Sequence, residues 1–379
     1  MKQIRAIDIR LLGKKRTGDE TVFFNLTKEL LAMDQENEYL LLTTEKDPRE
    51  QALIQARLGC IGRSNVRFVA LFGKNKFIWN LISLPWFLLR NQVDVYHTQY
   101  ILPLYVPKHV RVVNHIHDVS FRAYPELISW KDRFFLWLFI PRSLRRADAL
   151  VVPSQFTRDE VAHFFGTDPE KIHVVPNALS EDFLQTHSSE EVSRVREKYH
   201  IPERYIVSVG TLQPRKNIPL LLRAFALVRE RLPDMTLVVV GNRTGHHVDT
   251  RIDETIAELH LETAVIFPGF VDQGDLPLLV RGAQVFVFPS LYEGFGIPAL
   301  EAMSQGVPVL CSATPCLQEV AGEAALYFDP TSIADCQEKL YTLLTDTEQR
   351  VSGISHGKGR LSLFSWRKSA ELLSLVYRG

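Results

Sequence analysis

The chain has 379 residues, room for two domains of ordinary size, and its 46% hydrophobic and 23% charged content excludes a disordered protein. Formal net charge is zero but unevenly spread: residues 1–180 hold 25 Lys/Arg and 19 Asp/Glu, and residues 181–379 hold 19 and 25. A basic first half suits an anionic partner, such as a phosphate-bearing acceptor or a membrane surface, or reflects only solvated helix faces; no nucleic-acid partner is implied.

Short apolar runs alternate with amphipathic stretches along the whole chain. IRAIDI, EYLLLTT, VRFVALF, VDVYHTQ, VRVVNHIHD, ADALVVPS and HVVPN read as buried strands of the first half. RYIVSVG, MTLVVVG, AVIFPGF, AQVFVFPS, VPVLCSA and AALYFDP read as those of the second. Helical patterns such as NLTKELLAM, SQFTRDEVAHFF, IPLLLRAFALVRERL, RIDETIAELHL and IADCQEKLYTLL lie between them. Strand–helix alternation predicts parallel sheets covered on both faces. Thirteen strands in one sheet would be unusually wide, so the reading is α/β with two parallel-sheet domains, which facing each other would make a cleft. The boundary is expected in the polar stretch 178–203. The first domain is then 1–185, the second 200–360, and 361–379 forms a last helix.

The four cysteines, Cys60, Cys311, Cys316 and Cys336, have neither C-x-x-C nor matching His spacing, so free thiols in a reducing compartment are expected. The first residues lack an apolar core of signal-peptide length, and no stretch reaches the roughly 18 uncharged apolar residues of a membrane span. A cytoplasmic location is the default expectation. Two apolar, Trp-bearing stretches flanked by cations, residues 77–90 and 130–148, fit either a membrane surface or aromatic helices buried under a basic rim.

In KKRTGDETVFF, Gly18 would allow a tight turn beside Lys14, Lys15 and Arg16, with Asp19 and Glu20 at the start of a helix. No dinucleotide fingerprint or P-loop is present. VRVVNHIHDVSF sets His115, His117 and Asp118 just past a strand; His117 could hold a reacting hydroxyl or a sugar, the two histidines could bind a metal, or they could be structural. VSVGTLQPRKN ends a strand at Gly210, and Thr211, Arg215 and Lys216 follow before a helix. Two cations at a strand's carboxyl end can neutralise a diphosphate leaving group. LYEGFGIPALEAM holds Glu293 in a glycine-bearing turn and Glu301 in a helix that Pro298 opens and Gly306 closes. Gly294 and Gly296 allow close approach of backbone N–H groups, a helix N-terminus favours an anion, and carboxylates accept hydrogen bonds from sugar or ribose hydroxyls.

These blocks together resemble glycosyltransferase family 4, strongly over about 205–330 through VGTLQPRKN and EGFGIPALEA, and in outline through HIHDVSF and VVPNALSEDF. The resemblance, greatest to its mannosyltransferase-like branch, implies the GT-B fold, two Rossmann-like domains with parallel sheets facing across a cleft and a last helix at 361–379 that crosses back onto the first domain, and retaining transfer of a mannose- or glucose-type hexose. The donor would be a GDP- or UDP-linked sugar, the acceptor a glycan or lipid-linked hydroxyl, and no metal or covalently bound cofactor would be needed. It implies that Lys216, with Arg215 as partner, contacts the donor diphosphate, that Glu301 binds the ribose, and that Glu293 lies near the hexose. Gly210, Thr211, Gly294, Phe295 and Gly296 would line the diphosphate or sugar, and His117 would approach the sugar from the first domain. Some relatives have an arginine where this chain has Thr211, the usual glycine pair of the first loop is here Gly18 alone, and many have Asn-Gly where it has Asn177-Ala178. Peripheral contact with the inner membrane face through the basic aromatic first domain is a further expectation. The rival readings are a glycosidase using Glu293 and Glu301 as paired carboxylates, a nucleotide-sugar epimerase of the same architecture, and a non-catalytic scaffold.

Overall fold

The computed structural model describes residues 2–13, 18–73, 75–127, 130–243 and 248–379. Lys14, Lys15 and Arg16 lie outside the described residues, as do the side chains of residues 76, 127 and 130–132. The chain forms two compact units: Met1–Pro125, Ser129–Asn177 and Ser365–Gly379 in one, and Glu126–Ile128 and Ala178–Phe364 in the other.

The first unit is built on a seven-stranded sheet: β1 (Ile4–Asp8), β2 (Glu38–Thr43), β3 (Val66–Ala70), β4 (Val95–Gln99), β5 (Arg111–His115), β6 (Ala149–Val152) and β7 (Ile172–Val174). Their order is β3-β2-β1-β4-β5-β6-β7 and every pairing is parallel. All four residues of β6 are buried, as expected of a parallel strand covered on both faces. Three helices of this unit matter below: α1 (Gly18–Met33), α2 (Trp130–Arg146) and α3 (Gln155–Phe165). Ser154 caps α3 by accepting from the Thr157 N–H, and Gly166 ends it in the left-handed conformation with φ 60°.

The second unit carries β8 (Tyr205–Val209), β9 (Thr236–Val240), β10 (Val265–Ile266), β11 (Val285–Phe288), β12 (Val309–Ser312) and β13 (Ala325–Phe328). Their order is β10-β9-β8-β11-β12-β13, again wholly parallel. The chain runs outward from β8 to β10, then returns to β11 on the other side of β8. That reversal leaves a crevice between the carboxyl ends of β8 and β11, where open α/β sheets take ligands. Helices α4 (Ile218–Arg231) and α5 (Ile297–Ser304) follow these two strands.

The thirteen strands and the alternation of the sequence reading are all present. The units divide between Asn177 and Ala178, at the start of the stretch 178–203. Residues 178–199 were divided between the first domain and a linker, yet they belong to the second unit, because Leu179, Phe183, Val195 and Ile201 are buried in its core with Tyr205 and Leu279. The last helix, α6 (Trp366–Arg378), belongs to the first unit. It packs on α1, and it buries its Ala370, Leu373 and Tyr377 face. Arg111 donates to the Val376 carbonyl at 3.1 Å, and the Ser369 hydroxyl donates to the Pro176 carbonyl at 2.5 Å.

Candidate active site

Arg215 and Lys216 lie in a one-turn 3-10 helix, Pro214–Lys216, just beyond the end of β8. The next residue, Asn217, is left-handed at φ 56°, a conformation asparagine tolerates better than most residues. Its side-chain amide donates to the Pro330 carbonyl at 2.9 Å, which pins the turn. Pro219 then opens α4, so the cations end at a fixed place on the strand's carboxyl edge.

Glu293 lies on the loop after β11, the strand next to β8. The Leu291 N–H donates to the Arg215 carbonyl at 2.8 Å, and the Arg215 guanidinium donates to the Tyr292 carbonyl at 3.2 Å. These bonds stitch the two loops together and bring three charges into one cluster. Lys216 Nζ is 2.5 Å from Glu293 Oε1, and Arg215 Nη1 is 3.3 Å from Glu293 Oε2. The Glu293 and Lys216 side chains are only 10% and 11% exposed. Burial alone would raise the Glu293 carboxyl, but the charges of Lys216 and Arg215 outweigh it and hold the group below the ordinary carboxylate range. Lys216 Nζ also sits 5.0 Å from the centre of the Phe288 ring. A narrow pocket beside this cluster is lined by Gly210, Thr211, Lys216, Phe288 and Ser290.

Two of the glycines are there for space. Gly296 has φ 110°, and a Cβ there would fall 2.7 Å from the Leu317 side chain. A Cβ on Gly241, at the end of β9, would fall 2.3 Å from the Gly210 carbonyl oxygen. Gly296 stands at the N-cap of α5 and has no side chain with which to cap it. The start of that helix therefore suits an anion. Glu301 is buried on α5, eight residues beyond Glu293 on the loop, and the two carboxylates do not share a helical face. Phe295 turns inward: its side chain is 5% exposed and packs edge-on against Phe364 at 5.4 Å, and its carbonyl accepts from the Cys316 thiol.

The remaining sequence candidates lie in the first unit. His117 follows β5, 7% exposed, with Nε2 2.9 Å from the Gln99 amide oxygen and Nδ1 4.0 Å from an Asp19 oxygen. That geometry makes Nε2 the donor. Behind it stand His115 and His97, with ring centres 4.4 Å from His117 to His115 and 5.9 Å from His115 to His97. Tyr377 on α6 closes the row, its hydroxyl 2.7 Å from His97 Nδ1. His115 thus stacks within an imidazole row, and among the described residues no group of three or more His, Cys, Asp or Glu is placed to hold a metal. Gly18 is the first residue of α1, without a positive φ, and a Cβ there would meet nothing within 4 Å. Among the described residues before the helix, Gly13 has a positive φ, 79°.

Gln99, Asp19 and Tyr377 went unnoticed in the sequence as companions of the histidines. Gln99 carried a signal, since it ends the VDVYHTQ strand beside the strand of His115. Tyr377 carried none, being 280 residues from its partner.

Two parallel-sheet units, with a cluster of opposite charges at the second sheet's reversal point, define a two-domain α/β protein. Residues 16–183 match the family described as Glycosyltransferase Family 4, and residues 191–360 match Glycosyl transferases group 1. O-antigen chain mannosyltransferase B of Escherichia coli is 34% identical over 269 residues, 69% of each chain. The serotype-specific mannosyltransferase WbdA of the same organism is 31% identical over 229 residues, and the match spans 28% of that longer protein. The structure of Anabaena Alr3699/HepE in complex with UDP and glucose superposes with a TM-score of 0.73 at 18% identity, covering 98% of each chain. The chain belongs to glycosyltransferase family 4, with the GT-B architecture and a mannosyltransferase-like sequence. It is a glycosyltransferase.

Proposed function

We propose that the protein transfers a hexose of mannose type, with retention, from a nucleoside diphosphate sugar to a hydroxyl of a glycan or lipid-linked acceptor. The observation that carries this reading is the buried Arg215–Lys216–Glu293 cluster beside the N-terminus of α5. Mannosyltransferases among its relatives support the sugar class, and a UDP- and glucose-bound neighbour of the same fold supports a nucleotide-linked donor, GDP or UDP.

In this reading the diphosphate takes over the cations that Glu293 holds in the free protein. Lys216, Arg215 and the first turn of α5 balance the charge that grows as the bond from the sugar's anomeric carbon to the phosphate oxygen breaks. The acceptor oxygen forms the new bond on the same face, and its proton leaves with the departing phosphate. Glu293, released from Lys216, accepts from hexose hydroxyls; Glu301 accepts from the ribose. Gly210, Thr211, Gly294 and Gly296 leave room for the diphosphate. His117, its Nε2–H held by Gln99, offers Nδ1 to the sugar or the acceptor. The protein works in the cytoplasm, at the inner membrane face where the acceptor is lipid-linked.

Losing one such cation typically costs about 2–4 kcal/mol of barrier. Lys216→Ala is therefore expected to lower sugar transfer roughly a hundredfold or more. Near-normal transfer would remove Lys216 from the mechanism. A thermal-shift panel of UDP, GDP, ADP and their sugars would identify the base, since a ligand at a hundred times its Kd adds about 2.7 kcal/mol.

A further inference from the structure

Exposed apolar surface is concentrated on one stretch of the first unit. Among the described residues, twelve of the 21 exposed large hydrophobic side chains fall between residues 72 and 138. The same stretch is basic: residues 74–146 hold eleven Lys or Arg against four Asp or Glu, which accounts for all the excess charge of the first half. A soluble domain rarely leaves so much apolar surface uncovered without a partner for it.

Within this region lies an open trough of about 570 Å³. Phe134, Trp137 and Pro141 of α2 form one wall, and Phe121, Phe164 and Phe165 are among those facing them. Phe134 and Trp137 are 61% and 58% exposed, with ring centres 6.3 Å apart. Among the described residues the charged groups lining the trough are Arg122 and Arg133, none that lines it is acidic, and neither arginine has an ion-pair partner. The apolar surface continues onto residues 77–90, because Phe77 packs edge-on against Phe135 of α2 at 5.7 Å. There Trp86, 49% exposed, lies under the Arg90 guanidinium at 4.5 Å.

An aromatic trough with a cationic rim matches an amphiphile with a hydrocarbon chain and an anionic head. A free sugar phosphate would leave the exposed rings unused, and a second copy would bring one strongly basic face against another. A bilayer satisfies both demands, taking aromatic rings at its interface and attracting Lys and Arg to anionic headgroups. We infer that this face docks on an anionic lipid bilayer, and that the trough admits one chain of a lipid whose phosphate meets Arg122 and Arg133. The inference names the surface behind the proposed lipid-linked acceptor, and its test needs neither donor nor acceptor.

The full chain is to be sedimented with neutral phosphatidylcholine vesicles and with vesicles containing phosphatidylglycerol, at low and high salt. Binding is expected to the anionic vesicles, weakening as salt screens the arginines. The double variant F134A/W137A should bind at least tenfold less. R122Q/R133Q should bind anionic vesicles no better than neutral ones. Phospholipids brominated along their chains should quench tryptophan fluorescence in the wild type and distinctly less in Trp137→Phe. Absence of binding, or binding and quenching equal in wild type and variants, overturns the inference. So does a dimer in light scattering that F134A/W137A dissolves, which would assign the face to a second copy. A thermal shift by GDP or UDP, retained in every variant, shows that the variants are folded. Loss of that shift in the wild type with vesicle binding intact would count against the proposed transfer and not against the membrane surface.

Discussion

Lys216 and Arg215 share one carboxylate, and that sharing makes a prediction that a solvent-exposed site would not. Glu293 occupies both cations in the free protein, so on the proposed reading it competes with an incoming diphosphate. Glu293→Gln removes the competitor while keeping the shape. The expected outcome is nucleoside diphosphate affinity at least equal to wild type, with slower sugar transfer, read by calorimetry and an initial-rate assay on one preparation. Weaker nucleotide binding would show that Glu293 is a direct ligand of the nucleotide rather than a placeholder beside it. Glu301→Ala should weaken nucleotide binding instead, and unchanged affinity in calorimetry would take Glu301 out of the site. Lys216→Ala also leaves Glu293 buried beside Arg215 alone, and breaking a buried ion pair typically costs about 3–5 kcal/mol. Its activity loss should therefore be measured well below its own Tm. At this scale the sequence was informative about identity and silent about pairing. Glu293 and Lys216 stood out by their neighbours, EGFG and PRKN, but nothing local says that residues 77 apart touch.

Strand ends and the turns after them do the positioning. Asn217 must be left-handed and pinned to Pro330, and Gly296 must be left-handed against Leu317. Gly241 is a stricter case, because a Cβ there would press on backbone and not on a side chain that could swing aside. Gly241→Ala should push the Gly210 carbonyl away from β9 and disturb the strand end that carries the cations. A stability loss of about 1–3 kcal/mol is expected from forcing a methyl into packed structure, together with reduced nucleotide affinity. Wild-type affinity at normal Tm would mean that the β8 end tolerates the shift. Strands and helices were legible here because fully buried parallel strands read as unbroken apolar runs, and AQVFVFPS and MTLVVVG are such runs. Gly13 and Gly18 look alike in sequence, and only the backbone shows that Gly13 has a positive φ and Gly18 does not.

Across the first unit as a whole, the row of His97, His115 and His117 ties the sheet to the C-terminal helix through Tyr377. Burial, with a smaller contribution from His117, lowers His97 to about 3, and burial holds His115 well below the ordinary histidine value. The unfolded chain takes up these protons near pH 6.5 and the folded chain does not. Between those limits the unfolded state binds more protons, so stability is full above about pH 6.5 and falls as pH drops towards 3. Urea midpoints measured across that window should decline with acid, and His97→Phe should flatten the slope; an unchanged slope would mean that another group sets the acid limit. Tyr377→Phe should lower stability by about 1 kcal/mol, the usual net worth of one buried hydrogen bond.

By itself the sequence determined the alternation and the two parallel sheets, because hydrophobic period and turn chemistry are local properties of the chain. It could not place the unit boundary at 178, since a polar, charged surface segment reads alike whichever core receives its few apolar side chains. Tertiary structure decided which strand ends lie side by side, and so which carboxylate meets which cation. It also left Phe134 and Trp137 exposed and buried Trp79, a difference between aromatic residues of similar sequence surroundings. Adjacency across a sheet depends on strand order and exposure depends on what packs above, and neither is written into any single stretch of residues.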